Sequence, residues 1–248
     1  MISVITCTWN SMSTLPQTVA SVLAQQHAQF EHIFVDGGST DGTLDYIRSL
    51  PHAPRILEDV GGGIARAMNA GAELARGDHL CHLHSDDYFL HDHVLQRVTD
   101  HFAQSEAQWL FGRILFDQGG ALMPEPFIVP DYSFQRLING NFIPHPASFV
   151  GTALFRELGG FRSDLKYAMD YEFFLRLGRR APPLALKEAL AVFRIHPGST
   201  TVKNRLASFE EDHAVRLSFA GRSWREQLMH AARYHVRRRR LLAQMAQD

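Results

Sequence analysis

Short apolar runs alternate with amphipathic stretches over the first ninety residues of this 248-residue chain. Runs rich in β-branched residues predict strands, and apolar residues spaced three or four apart predict helices. Strands are predicted at residues 2–7, 32–35, 55–57 and 77–83, and helices at residues 15–26, 43–50 and 64–76. This alternation predicts a parallel, doubly wound sheet in an α/β fold.

The second half of the chain is less regular. A strand is predicted at residues 109–116, a hairpin-type turn at 118–120 and an amphipathic helix at 167–179. The core candidates of that helix are Tyr171, Phe174, Leu175 and Leu177. Residues 124–146 contain five prolines and are predicted to form loops around a short helix. The tail from Phe209 onward has a helical pattern.

Acidic residues follow three of the predicted strands. Asp36 ends the second strand, Glu58-Asp59 follows the third, and Asp86-Asp87 follows the fourth. Ligands of doubly wound sheets bind beyond the carboxyl ends of the strands. Adjacent carboxylates repel unless a cation or sugar hydroxyls lie between them, and Mg²⁺ and Mn²⁺ prefer carboxylate, phosphate and water oxygens. The pattern predicts a nucleotide site with a divalent cation; the alternative for Asp86 and Asp87 is a turn and a helix N-cap.

Composition narrows the class of protein. The chain is 45% hydrophobic and 21% charged, which suits one domain of generous size or one domain with an appendage. Its net charge is −1, but residues 222–240 carry +6, so the remainder is acidic and is not expected to bind nucleic acid. Cys7 and Cys81 lie in apolar runs and are predicted to be buried thiols, which favours a reducing compartment. Neither a signal peptide nor a membrane span is predicted, so the expected location is cytoplasmic.

Four segments make residues 1–201 resemble the family 2 glycosyltransferases. They are residues 2–10, residues 36–42, residues 63–71 with 77–78 and 85–87, and residues 159–161 with 169–177. The resemblance implies a GT-A fold, Rossmann-like with a mostly parallel central sheet, followed by a basic, amphipathic helical extension at residues 202–248. It also implies inverting transfer of a sugar from a nucleoside-diphosphate donor, UDP-linked, to a glycan or lipid-linked acceptor in bacterial surface-polysaccharide assembly.

The resemblance implies roles for the residues of the nucleotide site. The residues assigned to the nucleotide are Thr6, Thr8, Asn10, Asp36, Ser39, Asp59, Arg66 and Asp86. A carboxylate at Asp36 accepts from the imide of uracil or from a ribose hydroxyl, and the alternative role, the cap of an Asx turn, is compatible with this contact. Arg66 stands where the family often has Asp, so it is either a solvated helix residue or a bidentate phosphate ligand.

The resemblance also assigns a cation, Mn²⁺ or Mg²⁺, to Asp87, with Asp86 on the ribose or on the water shell of the ion. His196 is a second metal candidate, with a phosphate contact or an isolated turn histidine as alternatives. The first position of the metal motif, commonly Asp or Asn, is His84 here. A neutral imidazole adds no negative charge, which implies weaker metal binding or a preference for Mn²⁺.

Asp170 corresponds to the catalytic base of the family, which takes the proton of the acceptor hydroxyl as that oxygen attacks the anomeric carbon. The alternative for Asp170 is a charge on a helix surface. Met169 replaces the acid that usually precedes the base. His145, between Pro144 and Pro146, is the acceptor-site candidate.

Two rival hypotheses use the same residues. His82 and His84 share one face of a strand and precede two aspartates, a set that could hold zinc for hydrolysis. The departures at His84, Arg66 and Met169 leave open a catalytically silent nucleotide-sugar-binding or scaffold protein as an alternative. Release of the diphospho-nucleoside from a nucleotide sugar separates these hypotheses.

The basic tail carries an apolar stripe. The stripe consists of Trp224, Leu228, Ala231, His235, Leu242 and Met245, and arginines flank it. A basic amphipathic helix of this kind can lie on an anionic membrane surface, here the inner face of the cytoplasmic membrane. The alternatives are packing on the catalytic domain and pairing with a second copy in a homodimer.

Overall fold

The computed structural model describes residues 1–125, 130–195, 204–220 and 224–245, without the side chains of 224–226. The strands are β1 (Ile2–Thr8), β2 (Phe30–Asp36), β3 (Arg55–Leu57), β4 (His79–His82), β5 (Tyr88–Phe89), β6 (Trp109–Gln118), β7 (Ala121–Pro124), β8 (Ser148–Gly151) and β9 (Leu184–Arg194). The α-helices are α1 (Leu15–Leu23), α2 (Thr43–Arg48), α3 (Ile64–Leu74), α4 (Val94–Ala103), α5 (Phe134–Asn139), α6 (Thr152–Glu157), α7 (Met169–Arg180), α8 (Arg205–Phe219) and α9 (Trp224–Met245), and His145–Ala147 is a 3₁₀ turn.

One sheet runs through the molecule in the order β3-β2-β1-β4-β8-β6-β9-β5, and β7 pairs with β6. The predicted alternation of the first half is confirmed, since β1 pairs in parallel with β2 and β4, and β2 with β3. The second half adds antiparallel pairs at β4–β8, β6–β8 and β5–β9, so the complete sheet is mixed. The predicted turn at Gly119 and Gly120 joins β6 to β7, and both glycines have positive φ.

Both faces of the sheet are covered by helices. Alternate residues of β1 point to opposite faces, with Ile5 against α3 and Val4 against α4. The helix α7 is buried around most of its circumference, and its four predicted core residues are at most 1% exposed. Cys7 and Cys81 are buried free thiols, as predicted.

A glycine lets α3 approach the sheet closely. A Cβ atom at Gly71 would lie 2.5 Å from Ile5 Cγ2 and 3.1 Å from Val35 Cγ2. These distances are shorter than van der Waals contact, so a larger residue would push α3 away from β1 and β2. The loop that contains Asp59 leads into α3, so the packing of α3 against the sheet also places this loop beside the end of β2.

Candidate functional site

The carboxyl ends of β1, β2 and β4 meet at one edge of the sheet, because these strands run in parallel. The loop after β1 contains Asn10, the loop after β2 contains Ser39, and the segment after β4 contains Asp86 and Asp87. This edge therefore brings together most of the residues that the sequence assigns to the nucleotide and the cation.

Asp36 organises the loop after β2. Its Oδ1 accepts the amides of Gly38 (2.9 Å) and Ser39 (2.8 Å), and its Oδ2 accepts the hydroxyls of Thr8 (2.8 Å) and Ser39 (2.6 Å). Burial alone would raise the pKa of Asp36, but the bonds from Ser39, Thr8 and Gly38 outweigh it and lower that pKa below its ordinary value. The Asx-turn role is thus present, and contact with the nucleotide stays a prediction.

The loops after β1 and β2 bind each other. The Asn10 amide donates to Ser39 Oγ (2.8 Å), and Asn10 Oδ1 accepts the Thr40 amide (2.8 Å). Asn10 has a φ of 51°, in the left-handed region that asparagine tolerates. Thr6 is 0% exposed, like Asp36, and its hydroxyl pairs with His32 Nε2 at 2.9 Å, so it does not reach the surface of this edge.

Asp59 and Arg66 lie on the loop and first turn that lead into α3. The Val60 amide donates to the Asp36 carbonyl (2.9 Å), so the loop is fixed to the end of β2. Asp59 is exposed, and a Cβ atom at Gly38 would lie 3.5 Å from Asp59 Oδ1. Arg66 is exposed and its side chain folds over Gly62. Both side chains border the edge and are accessible to a ligand.

The two carboxylates after β4 have different environments. Asp87 is 2% exposed and its Oδ1 accepts the Arg194 amide of β9 at 3.2 Å, whereas Asp86 is half-buried. Burial, and then the charge of Asp86, raise the pKa of Asp87 well above its ordinary value, and Arg194 offsets part of this. A divalent cation would offset both the burial of the Asp87 charge and its repulsion by Asp86, so the pair fits such an ion.

Three histidines lie beside this pair. The His84 ring stacks on His145 with centroids 5.0 Å apart, and His82 lies 5.9 Å from His145. Burial first, and then the charges of the other two rings, lower the pKa of His145 well below its ordinary value. Burial also lowers the pKa of His82 and His84, so all three imidazoles are neutral at pH 7. Within the described ranges no group of three or more His, Cys, Asp or Glu is arranged to hold a metal, so the zinc hypothesis gains no support there. His196 lies outside the described residues.

Asp170 is the second residue of α7 and is half-buried. Its Oδ1 accepts the Tyr171 amide (2.7 Å) and its Oδ2 accepts Asn141 Nδ2 (3.4 Å). Burial raises the pKa of Asp170 to about 6, and these hydrogen bonds offset only part of that effect. A carboxylate with this pKa is largely ionised at neutral pH and is a stronger base than an exposed aspartate.

His145 connects the metal motif to the helix of Asp170. Its ring stacks on His84 and lies 6.3 Å from the ring of Phe174, which is one turn after Asp170 on the same face of α7. Neither ring nitrogen of His145 has a hydrogen-bond partner within the part of the chain that the structure describes. Both nitrogens are buried in the structure.

Several residues of this region were not among the site residues predicted from the sequence. Trp9 is 71% exposed at the end of β1, beside Gly37, and offers a flat aromatic surface to a ligand. The helix α8 brings Glu211 and Asp212 to the start of α7. Three consecutive acidic residues, 210–212, in a segment rich in arginine were the available signal.

Comparison with known proteins agrees with this architecture. The model of the family described as "Glycosyl transferase family 2" matches residues 3–158. An uncharacterized glycosyltransferase of Mycobacterium tuberculosis is 33% identical over 199 residues, covering 77% of this chain and 74% of the relative. A PGL/p-HBAD biosynthesis glycosyltransferase of Mycobacterium bovis is 31% identical over 186 residues, covering 71% and 69%.

Solved structures show the same fold at low sequence identity. Staphylococcus aureus TarS 1–349 in complex with UDP-GlcNAc has a TM-score of 0.71 and 20% identity, and the match covers 86% of this chain but 65% of that one. The mannosyltransferase PcManGT of Pyrobaculum calidifontis, in complex with GDP-Man and Mn²⁺, has a TM-score of 0.68 and 16% identity, covering 94% and 69%. The predicted fold class, a GT-A type α/β fold with C-terminal helices, is confirmed. The chain belongs to glycosyl transferase family 2.

Proposed function

We propose that this protein is an inverting hexosyltransferase that moves a sugar from a nucleoside-diphosphate donor, UDP-linked, to a glycan or lipid-linked acceptor. The observation that carries the proposal is the position of His145. This residue stacks on His84 of the metal motif and contacts Phe174 of the helix that bears Asp170. An acceptor held there would lie between a cation site and a base, which is the arrangement that inversion requires.

In this mechanism Asp170 accepts the proton of the acceptor hydroxyl while that oxygen attacks the anomeric carbon from the face opposite the diphosphate. Its pKa of about 6 leaves it largely ionised at neutral pH. Asn141, which donates to Oδ2 of Asp170, holds the carboxylate in one orientation. The acceptor oxygen forms the new glycosidic bond as the bond to the diphosphate breaks.

Asp86 and Asp87 would hold the divalent cation, Mn²⁺ or Mg²⁺. Such an ion neutralises negative charge on the leaving diphosphate, typically by several kcal/mol in the transition state. In this assignment the buried Asp87 binds the cation, and the more accessible Asp86 binds the ribose or the water shell of the ion. Single asparagine variants distinguish the two roles. Under our assignment D87N abolishes the Mn²⁺-dependent thermal shift, and D86N weakens nucleotide binding. Loss of the shift in D86N alone would move the cation to Asp86.

The donor is proposed from the edge residues and from the fold relatives. TarS has been solved with UDP and with UDP-GlcNAc, and PcManGT with GDP-Man and Mn²⁺. The exposed Trp9, the Asp36 loop and Asp59 suit a nucleoside and its ribose. We assign UDP because a uracil imide can donate to a carboxylate, and Asp59 is an exposed carboxylate at this edge.

A donor screen tests the proposal directly. Thermal shift is measured with UDP-, GDP- and TDP-sugars, each with and without Mn²⁺, and release of the nucleoside diphosphate is then followed for every binder. We expect a UDP-sugar to give both the largest shift and release that depends on Asp170. Binding without release would support the catalytically silent alternative. Hydrolysis that needs zinc and no sugar donor would support the hydrolase.

We propose that α9 contacts an anionic membrane. Its predicted stripe is not packed in the structure, since Leu228 is 63% and Leu242 is 38% exposed, and exposed arginines lie beside it. The neighbouring face packs on α8, where Tyr234 stacks on His213 at 4.2 Å. No helix in the described residues is long and apolar enough to cross a membrane. Contact would therefore be peripheral and would bring the site to a lipid-linked acceptor.

Cosedimentation with vesicles of phosphatidylglycerol and phosphatidylcholine, at low and high salt, tests this surface. We expect the protein to pellet at low salt and the L228S/L242S variant to stay in the supernatant. L122S, at a leucine that is 49% exposed on β7, is the matched control and should pellet like the wild type. Equal recovery of all three proteins in the supernatant would refute membrane contact. A wild-type protein that is a dimer and does not bind vesicles would indicate that the stripe packs against a second copy of the chain.

A further inference from the structure

The amino end of α7 is capped by a side chain from a distant segment. The Glu211 carboxylate of α8 accepts the amides of Lys166 (3.0 Å), Tyr167 (2.5 Å) and Ala168 (2.6 Å). The N-cap residue of α7 is Ala168, which has no polar side chain to do this. Glu211 thus satisfies three consecutive amides immediately before the helix that bears Asp170.

Carboxylates are effective at this position for two reasons. Hydrogen bonds to an ionised acceptor are shorter and stronger than neutral ones, and the positive end of the helix dipole attracts negative charge. Asp170 follows the capped segment by two residues, so the place of its carboxylate depends on the path of the chain through Lys166–Ala168. Movement of that segment would move the base.

Other hydrogen bonds hold the body of α7, whereas the segment that enters it is held by Glu211 and by the burial of Ala168, which is 0% exposed. The Tyr171 hydroxyl donates to the carbonyls of Leu137 (2.8 Å) and Ile138 (3.0 Å). Arg176 pairs with the buried Glu172 at 2.7 Å and anchors the middle of the helix. Removing Glu211 would therefore leave the body of α7 in place and loosen its start, which would lose the acceptor of three amides.

The residue after Glu211 strengthens the connection between α8 and the base. Burial, and then the charge of Asp170, raise the pKa of Asp212 to about 7. Arg216, one turn later on α8, offsets part of this rise. Displacement of α8 would change the surroundings of Asp170 directly.

We propose that Glu211 is a positioning residue for the base: by capping Lys166–Ala168 it fixes the first turn of α7 and holds Asp170 against the acceptor site. The C-terminal extension would then be part of the active site and not an appendage to it. This inference rests on the role of Asp170 in the proposed function.

The first test uses substitutions at Glu211 and a control on the same helix. E211A removes the acceptor, and E211Q keeps one acceptor oxygen but removes the charge. E210Q changes a carboxylate that pairs with Arg238 at 3.3 Å on the surface. With the donor that turns over fastest in the screen, we expect kcat of E211A to fall roughly 10–100-fold, because small displacements of reacting groups cost about this much. The donor KM should stay within about twofold, E211Q should be intermediate and E210Q should match the wild type.

The second test needs no donor. Hydrogen exchange of the amides of Lys166, Tyr167 and Ala168 should accelerate in E211A and E211Q and not in E210Q. The base can also be monitored by comparing each protein with its D170N derivative. The Tm of a protein with Asp170 differs from the Tm of its D170N derivative, and this difference depends on pH because the pKa of the buried Asp170 is raised. In E211A, Asp170 should relax toward solvent, and the pH dependence of the difference should shrink.

The outcomes separate the two proposals. Faster exchange together with a lower kcat at temperatures well below Tm supports the positioning role. Unchanged exchange in both Glu211 variants, or faster exchange with wild-type kcat, overturns it. If E211A does not fold, the comparison of E211Q with E210Q decides by the same criteria. A wild-type protein that turns over no donor refutes the proposed function, and the exchange measurement still shows whether Glu211 caps α7.

Discussion

Replacing Asp170 by asparagine is expected to stabilise the protein while it strongly lowers the rate of sugar transfer. The side chains are nearly isosteric, and an asparagine oxygen can still accept the Tyr171 amide that now bonds to Asp170 at 2.7 Å. What disappears is the charge, together with the acceptor of the long 3.4 Å bond from Asn141 Nδ2. Burial raises the pKa of this group from 3.8 to about 6, so the folded protein holds the ionised form less well than the unfolded chain does.

The size of the effect follows from the pKa. A tenfold change in an acid constant corresponds to about 1.4 kcal/mol, so ionised Asp170 costs the folded state at most about 3 kcal/mol at neutral pH. Solvent reaches part of the half-buried side chain, and we therefore expect D170N to gain about 1.5–3 kcal/mol, or roughly 3–10 °C in Tm for a chain of this length.

The direction of the pH dependence is fixed by the raised pKa. As the pH rises through 3.8 the unfolded chain loses the proton while the folded protein keeps it, and the folded state is increasingly destabilised until the pH passes about 6. The stability of the wild type should therefore fall by about 1.4 kcal/mol more than that of D170N between about pH 5 and pH 8.

Chemical denaturation followed by circular dichroism at pH 5 and pH 8 measures the gain in stability of D170N and its change with pH. Nucleoside-diphosphate release measures the activity, which should fall roughly 10²–10⁴-fold. D164N is the control, because Asp164 is exposed and the Arg162 guanidinium beside it lowers its pKa. It should show no gain in stability. A D170N protein that is less stable than the wild type at pH 8, or whose advantage is the same at both pH values, would refute the reasoning.

Three further predictions concern the edge, the core and the base. W9A should raise the Kd for the nucleotide roughly 10–100-fold by calorimetry, because stacking of a base on an aromatic ring contributes about 1–3 kcal/mol; W9F should keep most of the affinity, and wild-type affinity in W9A would exclude stacking. G71A should lower the free energy of unfolding by about 1–3 kcal/mol through the clash with Ile5 Cγ2, although alanine favours the helix; an increase in Cm would contradict the packing argument. The plot of kcat/KM against pH should fall on the acid side with a midpoint near the pKa of Asp170, about 6, and a midpoint near 4 would mean that the base is not buried.

Local patterns in the sequence determined the first half of the fold and its functional edge. The period of apolar residues fixes which segments become strands and helices, and parallel strands place their carboxyl ends together. The amino-acid order therefore suffices to assign Asp36 and Asp86-Asp87 to one edge of the sheet. The GT-A class was implied by the resemblance of four short segments to the family 2 glycosyltransferases.

The tertiary structure alone decided which distant segments meet. The antiparallel pairing of β8 with β4 and β6, the stacking of His145 on His84, and the cap that Glu211 places on α7 join residues far apart in the chain. No period or spacing encodes such contacts, because they depend on how whole elements pack. The same reason explains why the predicted stripe of α9 proved exposed: its helical pattern fixed the face, but the position of α8 decided which face is covered.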